Sequence, residues 1–481
     1  MRRLHARSLR GRKFLHLEEK FLAHKLDTSI TEGSLLRKVE RMPTSFLPYE
    51  PNQDYLLPPS VSEWLPENHL AYFVSETIDR LDLQKFYARY AGDGRRNQPY
   101  NPAMLAKVLV YGYATGVFSS RKIARKLYED IAFRFLAAGN FPKHRTICDF
   151  RLQHLPEFTD LFVQVVQLAR ELGLAKLGTI ALDGTKGHAN ANKHKAMSYG
   201  RMKQQEPELK QQIKALLERA RAVDAQEDAR LGANQADEDL PAELKRRQDR
   251  LAKIEAAKRR IEARQAEADR KRGRHPDDEQ RPGDGAGRPF KRPFGVPDDK
   301  DQDNFTDPES RIMKMGSSYE QCYNAQAAVD AESQIIVATG LTNNAADNGQ
   351  LLPMLETVQN NLGKLPERVL ADSGYRSEEG FAALEDKGVE GLIALGREGK
   401  KKGPIDAKAY PASARMSERL AIPEGQAQYR RRKAIVEPVF GWIKHVLGFR
   451  QFSLRGLAKV LGEWNLVCLA VDLRRMWALQ G

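Results

Sequence analysis

Cysteine is scarce: Cys148, Cys322 and Cys468 are the only three in 481 residues, and they lie far apart in sequence. That excludes a disulfide framework and any cysteine-based zinc motif, and it fits a reducing cytoplasm with buried thiols. Long apolar runs are missing too. None reaches the roughly 20 residues that cross a bilayer, so no membrane partner is expected. Acidic residues are outnumbered, 64 Asp and Glu against 78 Lys and Arg, which leaves a net charge of +14 and a pI of about 9.5. A cationic excess of this size favours a polyanionic partner, although ribosome-associated and membrane-surface proteins share it. The hydrophobic fraction of 41% is enough for a soluble core. The length calls for more than one domain, or one domain with a large insertion.

Residues 1–52 read as a basic, disordered leader. Its first 41 residues hold 11 Lys and Arg against 5 Asp and Glu, and Met42 is an alternative start. Residues 53–175 read as all-helical, with apolar residues at three- and four-residue spacing in Asn68–Leu81, Pro102–Tyr113, Ser120–Tyr128 and Leu155–Leu172. Gly116 separates the second of these from a third opened by a capping serine. Ile123 and Leu127 should face inward there, with Arg121, Lys122, Arg125 and Lys126 outward. This resembles a helix-turn-helix with a basic second helix, and Arg121 and Arg125 are its candidate DNA contacts. A solvated basic helix is the plainer reading.

Leu177–Leu182 is a short strand pattern ending in Asp183 and Gly184. His188 and His194 follow at a spacing that matches no strong metal motif. Residues 200–272 then repeat Leu and Ile in two helical seams among Glu, Lys, Arg and Gln, a helical hairpin or coiled coil. Residues 273–310 alternate Gly, Pro and charge, which predicts a disordered linker. Strands are expected again at Tyr323–Val329, Gln334–Leu341, Arg368–Ala371 and Gly391–Leu395, with helices at Gly349–Leu362 and Glu378–Lys387. Three meandering strands followed by α/β alternation predict a layered α/β fold with a mixed sheet.

Asp183 and Asp372 each end a predicted strand, where ligands gather in open α/β sheets. Glu437 lies in the stretch Tyr429–Lys444, among Arg430, Arg432, Lys433 and Lys444. Helical spacing puts Glu437 at the edge of an apolar stripe of Val436, Val439, Phe440 and Ile443. Pro438 bars a straight helix through Lys433, so a helix start at Glu437 is expected, with Pro438 in its first turn. Three carboxylates can hold two Mg²⁺ ions about 4 Å apart. Any one of these acids alone is more simply a turn or cap residue.

Ile180–Lys186, Leu370–Tyr375 and Tyr429–Lys444 together resemble the DDE transposases of bacterial insertion sequences, within the broad IS-four/IS-five-like set. The resemblance covers roughly residues 53–475. It implies an RNase H-like fold for residues 176–199 and 311–481, with residues 53–175 as DNA-binding domain. It implies Asp183, Asp372 and Glu437 as the metal-binding triad, with two Mg²⁺ ions for which Mn²⁺ can substitute. The family's last motif is matched in type by Tyr429, Arg432, Glu437 and Lys444. Arg432 stands one residue too far from Glu437, and Lys433 holds the matching place. The implied activity is hydrolysis at the element's terminal inverted repeats followed by strand transfer, by a homodimer or higher oligomer on double-stranded DNA. Such a protein would be cytoplasmic and nucleoid-associated. The rivals are an inactive DNA-binding derivative and an RNase H-like nuclease that cuts without joining.

Overall fold

The longest strand among the described residues, Ser318–Asp330, is buried continuously from Gln321 onward. A strand reads this way when it has neighbours on both edges and cover on its faces. The computed structural model describes residues 46–50, 61–90, 98–231, 239–277, 290–396 and 405–480. Nearly all of the leader expected at 1–52, and residues 278–289 of the expected linker, lie outside them.

Eight strands are described: β1 (Thr179–His188), β2 (Ala196–Ser198), β3 (Gln302–Asn304), β4 (Arg311–Met315), β5 (Ser318–Asp330), β6 (Ile336–Thr342), β7 (Arg368–Ala371) and β8 (Glu390–Ile393). The main sheet runs β6-β5-β1-β7-β8, with β4 pairing the first part of β5. β1, β5 and β6 are antiparallel, whereas β7 and β8 run parallel to β1. Three antiparallel strands extended by two parallel ones, with helices between the parallel members, make this an RNase H-like fold.

The helices before the sheet are α1 (Leu70–Arg80), α2 (Gln84–Ala88), α3 (Pro102–Ala114), α4 (Ser120–Glu129), α5 (Ile131–Leu136), α6 (His144–Gln153) and α7 (Leu155–Glu171). Every residue of α3 is buried, so it is the centre of this helical part and not an exposed arm. The sequence suggests a separate domain up to residue 175, but the helices share a core with the sheet. The C-terminal helix, Leu457–Gln480, packs on α3 and α7 on one side and on β6 on the other. Polar contacts lock the seam: Arg474 Nη1 donates to the Ala114 carbonyl at 2.9 Å, and Asn465 Nδ2 to Thr159 Oγ1 at 2.9 Å.

Between β2 and β3 stand α8 (Tyr199–Leu231) and α9 (Asp239–Lys271), the two long helices that the seams predict. Their base is a small core of its own: Met197, Tyr199, Met202, Leu209, Ile254, Ala257 and Ile261. The linker expectation fails for residues 290–310. β3 pairs with β2, and Asp303 is buried and ion-paired with Arg260 at 2.6 Å. Buried Asp307 accepts the Tyr323 hydroxyl at 2.8 Å and the Gly456 N–H at 3.3 Å. Composition suggests disorder here because these contacts are made by polar side chains, which carry no apolar period.

A boundary for removing the insertion follows from those contacts. Deleting residues 213–250 with a short linker should leave a cooperative thermal melt, since the ribbon and its small core survive. Deleting 203–308 takes Asp307 and leaves the buried Tyr323 hydroxyl without its acceptor, at a cost of about 1–3 kcal/mol for that group alone. Equal melting temperatures for the two deletions would show that Asp307 contributes nothing to the fold.

Candidate nucleic-acid processing site

β1 does not stop at Asp183, as the sequence suggests, but runs on to His188, because Asp183–His188 pair with Cys322–Ala327 of β5. The parallel pairing with β7 does stop there. Its last register pair is Leu182 with Ala371, so Asp183 and Asp372 are the next residue on each of two adjacent strands. The two aspartates therefore sit side by side at the carboxyl end of the parallel pair.

Asp183 Oδ2 pairs with Arg432 Nη1 at 3.1 Å, and its Oδ1 accepts the Gly184 N–H at 2.8 Å. Burial pushes its carboxyl up to about 6, helped by the charges of Asp372 and Asp347 and opposed by Arg432 and the Gly184 N–H. Asp372 caps a short turn, Ser373–Tyr375, its Oδ1 accepting the Gly374 N–H at 2.7 Å.

A third acid stands here that the strand and helix patterns of the sequence do not single out. Asp347, in the loop after β6, accepts Asn324 Nδ2 at 2.8 Å and Gln326 Nε2 at 2.7 Å, both on its Oδ1. Gln326 in turn accepts the hydroxyl of buried Tyr375. Gly184 and Gly374 make room for this group. A Cβ on Gly374 would lie 2.9 Å from Asp372 Oδ1 and 3.0 Å from Asp347 Oδ2, and one on Gly184 would collide with Asp347, Gln326 and Asn324. The only sequence signal for Asp347 is an acid in a polar loop just before a helix, which is common in turns.

The cationic stretch forms two helices, α13 (Pro423–Arg430) and α14 (Arg432–Gly441), after α10 (Leu351–Leu362), α11 (Glu378–Asp386) and α12 (Pro411–Ala421). The expected helix start at Glu437 is corrected: α14 begins five residues earlier and passes through Pro438. Proline cannot donate to the carbonyl four residues back, and Gln334 Nε2 donates to that carbonyl, Ala434 O, at 3.1 Å instead. The break at Arg431 accounts for the one-residue offset in the motif. Arg432, not Lys433, is buried and reaches Asp183, with the Tyr429 side chain as a further hydrogen-bond partner. Lys433 and Arg430 are exposed.

A wider turn, Trp442–Val446, carries Lys444, whose Nζ donates to the Lys186 carbonyl on β1 at 2.9 Å; burial lowers its pKa. Glu437 stands exposed on α14, the helix that packs on β1. Among the described residues no three His, Cys, Asp or Glu side chains are grouped closely enough to share a metal ion, so the carboxylate of Glu437 is not gathered with the aspartates. On α4, Arg121 and Arg125 are exposed, with Ile123 and Leu127 buried as expected; Arg125 lies 3.5 Å from Glu129.

Two family models match this chain: a transposase domain, DUF772, over residues 59–153, and a transposase DDE domain over residues 289–473. The chain belongs to the DDE-type transposases of the insertion-sequence families. Neither a curated protein nor a solved structure gives a match. Asp183 falls between the two matched segments because α8 and α9 displace it in sequence; the sheet register restores it to the side of Asp372. As a DDE transposase the protein is a metal-dependent polynucleotidyl transferase acting on DNA, and the family works with divalent metal ions. The aspartate pair suits such an ion. Asp183 is a desolvated carboxylate beside a second one, an arrangement that a divalent cation would relieve. Among the described residues no helix is long and apolar enough to cross a membrane.

Proposed function

We propose that this transposase binds the terminal inverted repeats of its own element and, with Mg²⁺, hydrolyses a phosphodiester at each end and joins the freed 3′-OH to target DNA. The observation that carries this reading is the register that sets Asp183 beside Asp372 with Arg432 on Asp183. Asp183 and Asp372 would hold the metal, and Glu437 would complete the set from α14. Two Mg²⁺ ions, or Mn²⁺ in their place, would stabilise charge on the attacking and leaving oxygens. Arg432 keeps Asp183 ionised and aimed at the strand end. Lys444, with Arg430 and Lys433, offers positive charge to the phosphates of the bound strand. Tyr429 steadies Arg432. Two element ends must be handled together, which favours a homodimer or higher oligomer on DNA, in the cytoplasm at the nucleoid.

The test is an assay on labelled duplex carrying the repeats that flank the reading frame. Cleavage at the end together with joined products supports a transposase; cleavage without joining would assign a nuclease; binding without cleavage would assign an inactive derivative.

End recognition is assigned to the exposed face of α4. Replacing Arg121 and Arg125 together by Ala should weaken binding to the element's ends more than to random duplex, by about 1–3 kcal/mol for each arginine that reads a base edge. Competition gel shifts at fixed salt read this directly. An equal loss on both DNAs would mean that these arginines meet only phosphate.

A further inference from the structure

We propose that the outer face of α9, in the helical insertion, is a DNA-binding surface that grips duplex phosphates without regard to sequence. The inference goes beyond the end recognition assigned to α4. It needs only that DNA is the partner, which membership of the family gives.

The charges of α9 are sorted by face. At about 100° per residue, Lys245, Arg246, Lys253, Arg259 and Arg270 fall within one arc of about 140°. All five are exposed, and among the described residues none is ion-paired to an acid; the ion pairs of this helix are made by other side chains. Arg259 reaches only the Glu255 carbonyl of its own helix, at 3.4 Å, and Arg270 lies 5.6 Å from the Phe294 ring. The acids are mostly on the opposite flank and are engaged there. Glu255 meets Lys210 at 3.2 Å, Glu262 accepts the Tyr199 hydroxyl at 2.7 Å, and buried Asp269 accepts the Gly295 N–H at 2.9 Å. Two acids share the outer arc: Asp249, and Glu267, which Lys271 engages at 2.8 Å. A helix that is merely solvated mixes its signs, because opposite charges four residues apart stabilise it. Cations left outward while acids are used inward are complementary to a polyanion. Ala252, Ala256 and Ala263 fall in the same arc, so nothing bulky between the cations holds a phosphate backbone away.

Scale and rigidity fit the same partner. From Lys245 to Arg270 the helix runs roughly 37 Å at 1.5 Å per residue, against about 34–36 Å for one turn of duplex. The inner face is held by the small core of Met202, Leu209, Ile254 and Ile261 and by the Arg260–Asp303 pair at 2.6 Å. The cations are therefore presented on an ordered support, and binding need not order the backbone that carries them. The arm is also rooted beside the aspartate pair. It leaves through β2 soon after β1, the strand that bears Asp183. Its root is tied down by Asn304 Nδ2, which donates to the Asn192 carbonyl at 2.9 Å, and by Arg455 Nε, which donates to the Asn190 carbonyl at 2.8 Å. The occupant is the duplex that carries the element end, gripped by its phosphates outside the bases that α4 reads.

The test combines Lys245→Gln, Arg246→Gln, Lys253→Gln and Arg259→Gln in the full-length chain. Glutamine is a good helix former and all four side chains are exposed, so the variant should melt like the wild type. Its affinity is measured by fluorescence anisotropy on element-end duplex and on random duplex across a salt series, beside the wild type and the Arg121/Arg125 double variant. At low salt the variant should bind both DNAs roughly 10-fold or more weakly, with a salt slope shallower by about 0.9 for each phosphate contact removed. Wild-type affinity and slope on both DNAs would overturn the proposal, and the Arg121/Arg125 variant would still report on end recognition by α4. A loss confined to the end duplex would overturn it as well, since the face would then read bases. If the variant keeps its DNA affinity but loses self-association in sedimentation without DNA, the face belongs to a second copy of the chain. A variant that does not fold is replaced by acetylation of the wild type with and without random duplex. Slower modification of Lys245 and Lys253 on DNA supports the proposal; unchanged modification of both overturns it.

Discussion

Asp183→Ala and Asp372→Ala transposases should bind element-end DNA like the wild type and fail to cut it. Each change removes one carboxylate from the pair that adjoins across β1 and β7, and with it much of the charge that would hold a divalent ion. Metal stabilisation of the reacting oxygens contributes several kcal/mol, and each 1.36 kcal/mol is tenfold in rate, so a loss on the order of 1,000-fold or more is expected. Binding should survive because phosphate contacts come from lysine and arginine side chains elsewhere. Glu437→Ala should behave in the same way. It is the sharpest of the three tests, because Glu437 is exposed on α14 and joins the site only if the bound DNA and metal draw it in. Single-turnover cleavage with parallel gel shifts decides the matter; a variant that cuts at near the wild-type rate has no place in the set.

Arg432→Ala should have the second-largest effect, and one that depends on pH. The Arg432–Asp183 pair is only 9% and 20% exposed in its two side chains. Removing one partner of a pair this buried costs about 3–5 kcal/mol when the other must stay charged. Asp183 has an escape, since its carboxyl already sits at about 6, above the roughly 3.9 of an unfolded aspartate. Its folded form binds the proton more tightly than its unfolded form. Its contribution to stability is therefore full below about pH 4 and is lost as the pH rises through 6. Without Arg432 the folded value climbs further, and the loss deepens and extends to higher pH. Arg432→Ala should thus melt close to the wild type at about pH 5 and fall progressively behind toward pH 8. Arg432→Lys should rescue it only in part, because lysine lacks the planar fork. A melting deficit that is constant across this range would show that Arg432 acts by packing and not through Asp183.

The order of strands and the placement of Asp183 and Asp372 were legible because buried strands leave short apolar runs, and two acids ended two of them. The length of β1 was not legible. Gly184 and Gly187 look like turn residues, yet they serve the close approach of side chains such as Asp347 and Phe452. Helix α14 was misplaced by Pro438, whose missing donor is replaced by Gln334, about 100 residues earlier in the chain. The role of Arg432 was obscured by the break at Arg431, a single turn residue that shifts the motif by one. Asp347 was missed for a similar reason. Its partners, Asn324, Gln326 and Asp372, are distant in sequence and meet only through the sheet. The order of residues 290–310 rests on Asp303 and Asp307, polar groups whose burial no hydropathy pattern signals.

Anomalous diffraction from crystals of the transposase bound to end DNA and soaked in Mn²⁺ tests the central claim most directly. A manganese peak within about 2.5 Å of carboxylate oxygens of both Asp183 and Asp372 is the expected result. Manganese bound elsewhere on the protein, with Asp183 still paired to Arg432 and no peak between the aspartates, would contradict it.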